Sequence, residues 1–225
     1  MHATPKYVAL ADRLQRRWSA LPAGCLVDSE HSIAAEFGVN RLTAREAIRE
    51  LERRLIVRRI PGRGTVTAHR MPYSIDGDHT PSFRRVVTAA GYVPGVVRHQ
   101  QRWVGEGDER HLRIRRVLSV DDLIAAVVFD RVPDPIGQQI TGVISTGESI
   151  AEALACCGHT PRRDAADIEL RIPPHPVARD LGYGYAPVPV WHLTSRTTDT
   201  RTASVIHTSQ AWMRPEMFAV QVQLR

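Results

Sequence analysis

The 225-residue sequence predicts an α+β protein with two domains joined by a linker. Three amphipathic segments and a β-hairpin occupy residues 1–70, whereas segments of strand length with a few short helices fill residues 82–225. Residues 71–81 mix Pro, Gly and small polar residues, as linkers do. Charge divides in the same way: residues 1–70 carry 13 Lys or Arg against 7 Asp or Glu, and residues 71–225 carry 17 of each. A basic domain beside a neutral one indicates a polyanionic partner for the first domain alone.

The ends of the first two predicted helices are visible in the sequence. Apolar residues recur at helical spacing over residues 7–21, and Pro22 follows as a helix breaker. The second helix begins at Ser29, a residue type that caps helix N-termini, and ends at Gly38, which can adopt the left-handed conformation. A turn of two or three residues leads to a third helix, predicted over residues 41–55.

The third predicted helix has a polar face suited to DNA. Two short helices joined by a turn containing Gly form a helix-turn-helix, whose second helix enters the major groove. Arginine can bind guanine there, and Asn or Thr can bind bases or phosphates. The residues of this face are Asn40, Arg41, Thr43, Arg45 and Arg49. The alternative is a solvated charged face, in which the arginines pair with Glu46, Glu50 and Glu52.

A predicted hairpin directly follows the third helix. Residues 56–60 and 65–68 have the composition of strands, and the Pro-Gly-Arg-Gly run of residues 61–64 predicts a tight turn. A hairpin with a basic, Gly-rich tip beside a recognition helix is typical of a winged helix-turn-helix. Arg63 would then enter the minor groove, where narrow A·T tracts attract arginine.

Residues 26–67 resemble the winged helix of GntR-type repressors. The likeness is carried by Phe37-Gly38-Val39-Asn40-Arg41, by Thr43 and Arg45, and by Gly62-Arg63-Gly64-Thr65, at the spacing of the family. The resemblance implies operator contacts from four residues of the recognition helix, namely Asn40, Arg41, Thr43 and Arg45.

The resemblance also implies that the wing glycine Gly62 approaches the minor groove, and we expect Arg63 and Gly64 to belong to the same surface. The sequence departs from the family at two positions. Asp28 stands where the family usually has Pro, and His31 stands where an Arg that touches DNA is frequent. A DNA contact from His31 would be sensitive to pH.

Beyond the linker, the sequence alternates between short helices and strands, which predicts antiparallel sheet with helices. Helices are predicted over residues 82–90, 149–157 and 177–181. Strands are predicted over residues 96–104, 112–118, 123–129, 168–172, 188–197, 203–211 and 217–224.

The sequence contains no recognisable catalytic or metal-binding pattern, and we expect no cofactor and no metal. Four histidines lie in predicted strands and are expected to be packed or solvent-facing rather than ligands: His99, His111, His192 and His207. The adjacent Cys156 and Cys157 are expected to be buried and inert, with a redox or soft-metal site as the alternative. The absence of a long apolar run and the charged N-terminus predict a cytoplasmic protein.

Residues 82–225 resemble the UTRA effector domain of the HutC subfamily, a fold shared with chorismate lyase. The likeness is carried by Ser82-Phe83 and Gly91, Arg115-Arg116 leading to Asp121, Pro133, Ser149, Pro161 and Phe218. It implies a pocket between sheet and helices for a small anionic or sugar-like effector. In that pocket Arg116 would meet the anionic group and Ser149 would lie near the ligand; for Arg116 a surface strand arginine is the alternative.

The expected effector is a phosphate, phosphonate, carboxylate or sugar acid. Three positions that are often polar in relatives sensing amino sugars are apolar here, which argues against an amino-sugar phosphate; they are Leu118, Val128 and Val205. Residues 112–117 and Asn40-Arg41 are similar to regulators of phosphonate-uptake operons, another HutC branch.

Together these features predict a homodimeric repressor that binds double-stranded operator DNA and responds to a small-molecule effector, without enzymatic activity. Two alternatives stay open at this point. One is a lyase-like enzyme domain fused to a DNA-binding module, which requires acid and base groups that converge in the pocket. The other is a DNA-binding protein that responds to no ligand.

Overall fold

In a computed structural model, the chain divides into two compact units, Met1–Arg70 and Met71–Arg225. The structure describes residues 5–21, 24–60, 62, 64–68, 70–75, 82–121, 123–144, 149–185 and 187–222. The α+β class predicted from the sequence is confirmed.

The first unit is built on three helices: α1 (Lys6–Trp18), α2 (Glu30–Phe37) and α3 (Arg41–Arg53). Their buried faces share one core, in which Leu14, Ile33 and Leu51 are fully enclosed. The ends of α2 follow from local chemistry: the Ser29 hydroxyl accepts a hydrogen bond from the backbone N of Ser32, and Gly38 adopts φ +61°. The three helices predicted from the sequence are therefore present, but α1 ends at Trp18 rather than at residue 21 and α3 ends at Arg53 rather than at residue 55.

A hairpin of β1 (Val57–Ile60) and β2 (Gly64–Thr67) follows α3. The strands are antiparallel, with Val57 opposite Thr67. Val57 and Val66 are buried and anchor the hairpin to the core, whereas Gly62 and Gly64 near its tip are exposed.

The second unit contains a six-stranded antiparallel sheet in the order β4-β5-β6-β9-β8-β7. Its strands are β4 (Pro94–Val104), β5 (His111–Val120), β6 (Leu123–Pro133), β7 (Pro161–Arg171), β8 (Val190–Asp199) and β9 (Val205–Met213). The helices of this unit are α4 (Phe83–Ala89), α5 (Ile136–Thr141), α6 (Ile150–Cys156) and α7 (His175–Asp180).

The structure corrects the sequence prediction at four places. Residues 71–75, predicted as linker, form β3 (Met71–Ile75), which pairs in parallel with β10 (Phe218–Val222). Helix α5 was not predicted. Strand β7 begins at Pro161 rather than at residue 168, and β6 extends past Phe129 to Pro133.

Among the described residues, no helix is both long enough and apolar enough to cross a membrane.

Candidate DNA-binding surface and effector cavity

The N-terminal end of α3 is fixed by Asn40. Its side-chain oxygen accepts a hydrogen bond of 2.7 Å from the backbone N of Thr43, and its backbone is extended, as N-cap residues are. This cap leaves the amide nitrogen of Asn40 as the group that could donate to DNA. Arg41 is exposed next to it and has no partner within the described part of the chain.

The remaining predicted arginines of α3 are exposed but held by glutamates. Arg45 Nε donates to Glu30 at 3.1 Å, and Arg49 Nη1 donates to Glu46 at 2.7 Å. The predicted pairing of Arg49 with a glutamate of its own helix is therefore confirmed, whereas the partner of Arg45 comes from α2. Exposed ion pairs contribute little to stability, so these arginines can exchange a glutamate for a phosphate at small cost.

Glu30 connects α2, α3 and the hairpin. Besides Arg45 it accepts a hydrogen bond of 3.0 Å from Arg59 Nη2 on β1, and Arg59 Nε lies 3.3 Å from Glu52. Burial raises the pKa of Glu30, but the hydrogen bonds and charges of the two arginines lower it by more, and the net pKa lies below its ordinary value. The ionised Glu30 thus forms ion pairs with Arg45 of α3 and Arg59 of β1 at the same time.

The described part of the wing tip presents two glycines. Gly62 and Gly64 are exposed with φ of +74° and +104°, a region that residues with a Cβ rarely adopt. Arg63, predicted to enter the minor groove, lies outside the described residues. His31 is exposed on the first turn of α2.

Leu42 is a candidate contact that the sequence analysis missed. It lies on the first turn of α3 between Arg41 and Thr43, and 63% of it is exposed. An exposed leucine at this place can contact a thymine methyl group in the major groove. The signal in the sequence was its position off the apolar stripe formed by Ala44, Ala47, Ile48 and Leu51.

The second unit contains a cavity of about 520 Å³, in the usual range for small-molecule sites. It lies between one face of the sheet and the N-terminal parts of α4 and α6, and Tyr73 of β3 contributes to its wall. Arg116 and Ser149, the two residues predicted to meet an effector, both line it.

Arg116 belongs to a buried ionic network. Its Nη2 donates to Asp130 Oδ2 at 2.8 Å, and the other carboxylate oxygen of Asp130 lies 2.9 Å from His207 Nε2. The side chain of Arg116 is 11% exposed and that of Asp130 is 2% exposed, which excludes the surface-arginine alternative for Arg116. Burial raises the pKa of Asp130, but Arg116 and His207 lower it by more, so the net pKa is below its ordinary value and the carboxylate is ionised.

Ser149 caps α6. Its hydroxyl oxygen accepts from the backbone N of Glu152, and the Glu152 carboxylate accepts from the backbone N of Ser149, which completes a capping box. The hydroxyl hydrogen of Ser149 remains able to donate to a ligand in the cavity.

Arg163 of β7 also lines the cavity and was missed by the sequence analysis. It is 8% exposed, and its Nε and Nη1 have no hydrogen-bond partner among the described residues. His207 and Asp130 were missed as well: His207 was expected to be packed or solvent-facing, and no partner was found for Arg116. The feature of the sequence that could have indicated them is a charged or titratable residue at the end of an otherwise apolar strand segment.

The other expectations for this unit had mixed outcomes. Leu118 and Val128 line the cavity, whereas Val205 is 42% exposed and is not among its described lining residues. The expectation that both adjacent cysteines are buried was wrong, because Cys156 is exposed and Cys157 is partly exposed. No group of His, Cys, Asp and Glu within the described ranges is arranged to hold a metal ion.

Two family models match the chain. The model of bacterial regulatory proteins of the gntR family matches residues 7–66, and the UTRA domain model matches residues 105–219, about half of the chain. No curated protein sequence matches the chain.

Solved structures of similar fold include PhnF from Mycobacterium smegmatis, with 21% identity, a TM-score of 0.63, and coverage of 96% of this chain and 99% of that chain. The separate effector domain of the same protein has 15% identity and a TM-score of 0.56, covering 68% of this chain and 99% of that one. Gene product SA0254 from Staphylococcus aureus has 11% identity and a TM-score of 0.53, covering 70% and 100%. At these identities the likeness concerns the fold. With both family models matched in order, the chain belongs to the GntR family of bacterial DNA-binding transcription regulators and carries the UTRA domain of the HutC subfamily.

Proposed function

We propose that this protein is a cytoplasmic repressor that binds operator DNA as a homodimer and is released by a small anionic effector. The observation that carries the proposal is a pairing of two features in one chain. Exposed arginines line α3 in the first unit, and buried arginines line a cavity in the second.

For operator binding, α3 would enter the major groove and the wing would reach the adjacent minor groove. Arg41 and Arg45 would bind bases or phosphates, with support from Asn40, Thr43 and Arg49 around them. Gly62 and Gly64 would let the wing backbone approach the minor groove closely, and His31 and Arg63 would add contacts at the edge. A two-fold symmetric dimer would place two such surfaces on an inverted repeat.

For the effector, the cavity offers guanidinium groups and the Ser149 hydroxyl. These donors suit a phosphate, phosphonate, carboxylate or sugar acid. Leu118 and Val128 replace polar side chains on the wall, which disfavours an amino-sugar phosphate. Effector binding would shift the dimer toward a state whose DNA-binding units are wrongly spaced, and this requires a higher affinity of the effector for that state.

A lyase-like enzyme is the competing proposal, and the meeting of Arg116, Asp130 and His207 gives it a specific observation. Against it, Asp130 is ionised and engaged by two partners, so it has no proton to give as a general acid. Turnover of chorismate or another hydroxylated cyclic acid by the purified protein would favour the enzyme. Operator binding that no small molecule alters would favour the ligand-independent alternative.

The decisive experiment is fluorescence anisotropy on the intergenic DNA upstream of the protein's own gene, with scrambled DNA as control, over a series of salt concentrations. We expect a preference of about a thousandfold or more and a steep salt dependence. Equal and weak binding to both DNAs would contradict autoregulation through this DNA.

Replacement of the recognition-face arginine, Arg45→Ala, should weaken operator binding by about 1–3 kcal/mol and relax specificity. Arg171→Ala is the matched control, because it removes the same charge from an exposed position on β7. Unchanged operator affinity in Arg45→Ala would refute the assignment of the recognition face.

A further inference from the structure

A row of buried polar residues crosses the cavity side of the sheet. Arg116 of β5 pairs with Asp130 of β6, and Asp130 is hydrogen-bonded to His207 of β9. His207 stands opposite Thr197 of β8 in the strand register, and Thr197 stands opposite Arg163 of β7. The row therefore has Arg116 at one end and Arg163 at the other, and its carboxylate, Asp130, lies next to Arg116.

The two arginines differ in how their charge is balanced. Asp130 neutralises Arg116 at 2.8 Å. Arg163 has no ion pair with any described residue, and two of its nitrogens lack a hydrogen-bond partner although the side chain is more than nine-tenths buried. A buried guanidinium with unpartnered nitrogens is unfavourable, and no described residue balances its charge, so an anion bound at Arg163 would complete this arrangement.

The rest of the cavity wall limits what that anion can carry. Apart from the polar row and Ser209, whose hydroxyl is hydrogen-bonded to Ser195 at 2.8 Å, the sheet contributes apolar side chains to the wall. They include Leu118, Val128, Leu193, Ala211 and Met213. Sugar hydroxyl groups placed against this wall would lose hydrogen bonds to water without replacement.

We propose that the effector is an organic monoanion, a carboxylate on a hydrocarbon body, whose carboxylate binds Arg163 and whose body packs against the apolar wall. The inference rests on the proposed effector function of this cavity and specifies the ligand class. The third arginine of the wall, Arg84 of α4, is exposed, so water already screens its charge. Arg163 is therefore the one unbalanced buried cation among the described lining residues, and it matches one negative charge. A phosphate dianion would bring a second charge that Arg116, already neutralised, does not balance, and Asp130 would repel it.

The ligand-free protein provides the first test. Arg163→Met keeps a long side chain but removes the unpaired charge, so we expect the melting temperature of the second unit to rise by about 2 °C or more. Arg162→Ala, at the exposed neighbouring position, is the control and should leave it unchanged. A lower melting temperature in Arg163→Met would show that Arg163 is paired within the fold and would overturn the inference.

The second test measures binding to the full-length protein by calorimetry, with butyrate, octanoate and phenylacetate, their amides, inorganic phosphate and glucose 6-phosphate. We expect a carboxylate to bind wild type and Arg162→Ala at least tenfold more tightly than its amide, and this preference to vanish in Arg163→Met. Equal binding by carboxylate and amide, binding of the phosphates alone, or no binding by any carboxylate at millimolar concentration would each overturn the inference.

The operator assay separates this inference from the proposed function. Release of operator DNA by glucose 6-phosphate, with no carboxylate binding, would keep the effector role and refute the ligand class. A carboxylate that binds through Arg163 but leaves operator affinity unchanged would confirm the site and refute its role as effector.

Discussion

The Arg116–Asp130–His207 network provides a direct test of what stabilises the second unit. Asp130→Asn removes the charge of a side chain that is 2% exposed and leaves the buried Arg116 without its carboxylate. Breaking a buried ion pair from one side costs about 3–5 kcal/mol, because the remaining charge stays out of water. The second unit has the size at which each kcal/mol shifts the melting temperature by about 2–4 °C, so we expect a drop of about 6 °C or more.

The matched control for this substitution is Asp164→Asn. Asp164 accepts two hydrogen bonds from Arg196, at 3.0 and 3.2 Å, but that arginine is 52% exposed. Water replaces such a pair, so we expect a much smaller loss of stability in Asp164→Asn than in Asp130→Asn. Equal loss in the two variants, measured by urea unfolding of the full chain, would refute the argument that burial makes the Asp130 pair costly to break.

The direction of the pKa shift of Asp130 determines how the effect of Asp130→Asn on stability depends on pH. The pKa of Asp130 is lower in the folded state than its ordinary value, so its ion pair contributes stability above the unfolded-state pKa. This contribution is lost as the pH falls through the folded-state pKa. We therefore expect the stability difference between wild type and Asp130→Asn to be constant near neutral pH and to shrink in acid, below about pH 4. A difference that grew in acid would contradict this sign.

Two further predictions concern the DNA-binding unit. Glu30→Gln removes the carboxylate shared by Arg45 and Arg59. Because two exposed ion pairs contribute up to about 1 kcal/mol together, we expect this variant to bind scrambled DNA about fivefold more tightly at low salt, as measured by anisotropy. An unchanged affinity would show that these ion pairs do not compete with DNA. Gly38→Ala places a Cβ in open space but at φ +61°, so backbone strain alone should lower the free energy of unfolding in urea by about 1–2 kcal/mol. The control Gly142→Ala, at a helix end with φ −85°, should leave stability unchanged or raise it. A similar loss of stability in the control would contradict the strain argument.

Local chemistry made the first unit predictable. Ser29 and Gly38 mark the ends of α2 because a hydroxyl cap and a left-handed glycine act within a few residues of the chain. Gly62 and Gly64 likewise indicate the turn of the wing, because their positive φ is a local property of the chain. The family resemblance then predicted the DNA-binding surface, but the partner of Arg45 could not be predicted, because Glu30 reaches it from another helix.

The cavity was less predictable because it depends on register between distant strands. The predicted strand over residues 123–129 stopped before Asp130, and the strand predicted over residues 168–172 began after Arg163. A charged residue normally indicates the end of a strand. Only the register across the sheet shows that Asp130 and Arg163 belong to the same polar row. A bulge next to Arg163 also breaks the alternation that would have marked it as inward-facing.

The segment wrongly predicted as linker is informative for the proposed effector response. Its composition, with Pro72 and Ser74, gives a weak strand signal, and its pairing partner β10 lies at the far end of the chain. Yet β3 begins directly after the first unit ends, and its Tyr73 both lines the cavity and packs edge-on against Phe218, with ring centroids 6.4 Å apart. An effector bound as we propose would therefore contact Tyr73, on the strand that directly follows the first unit in the chain.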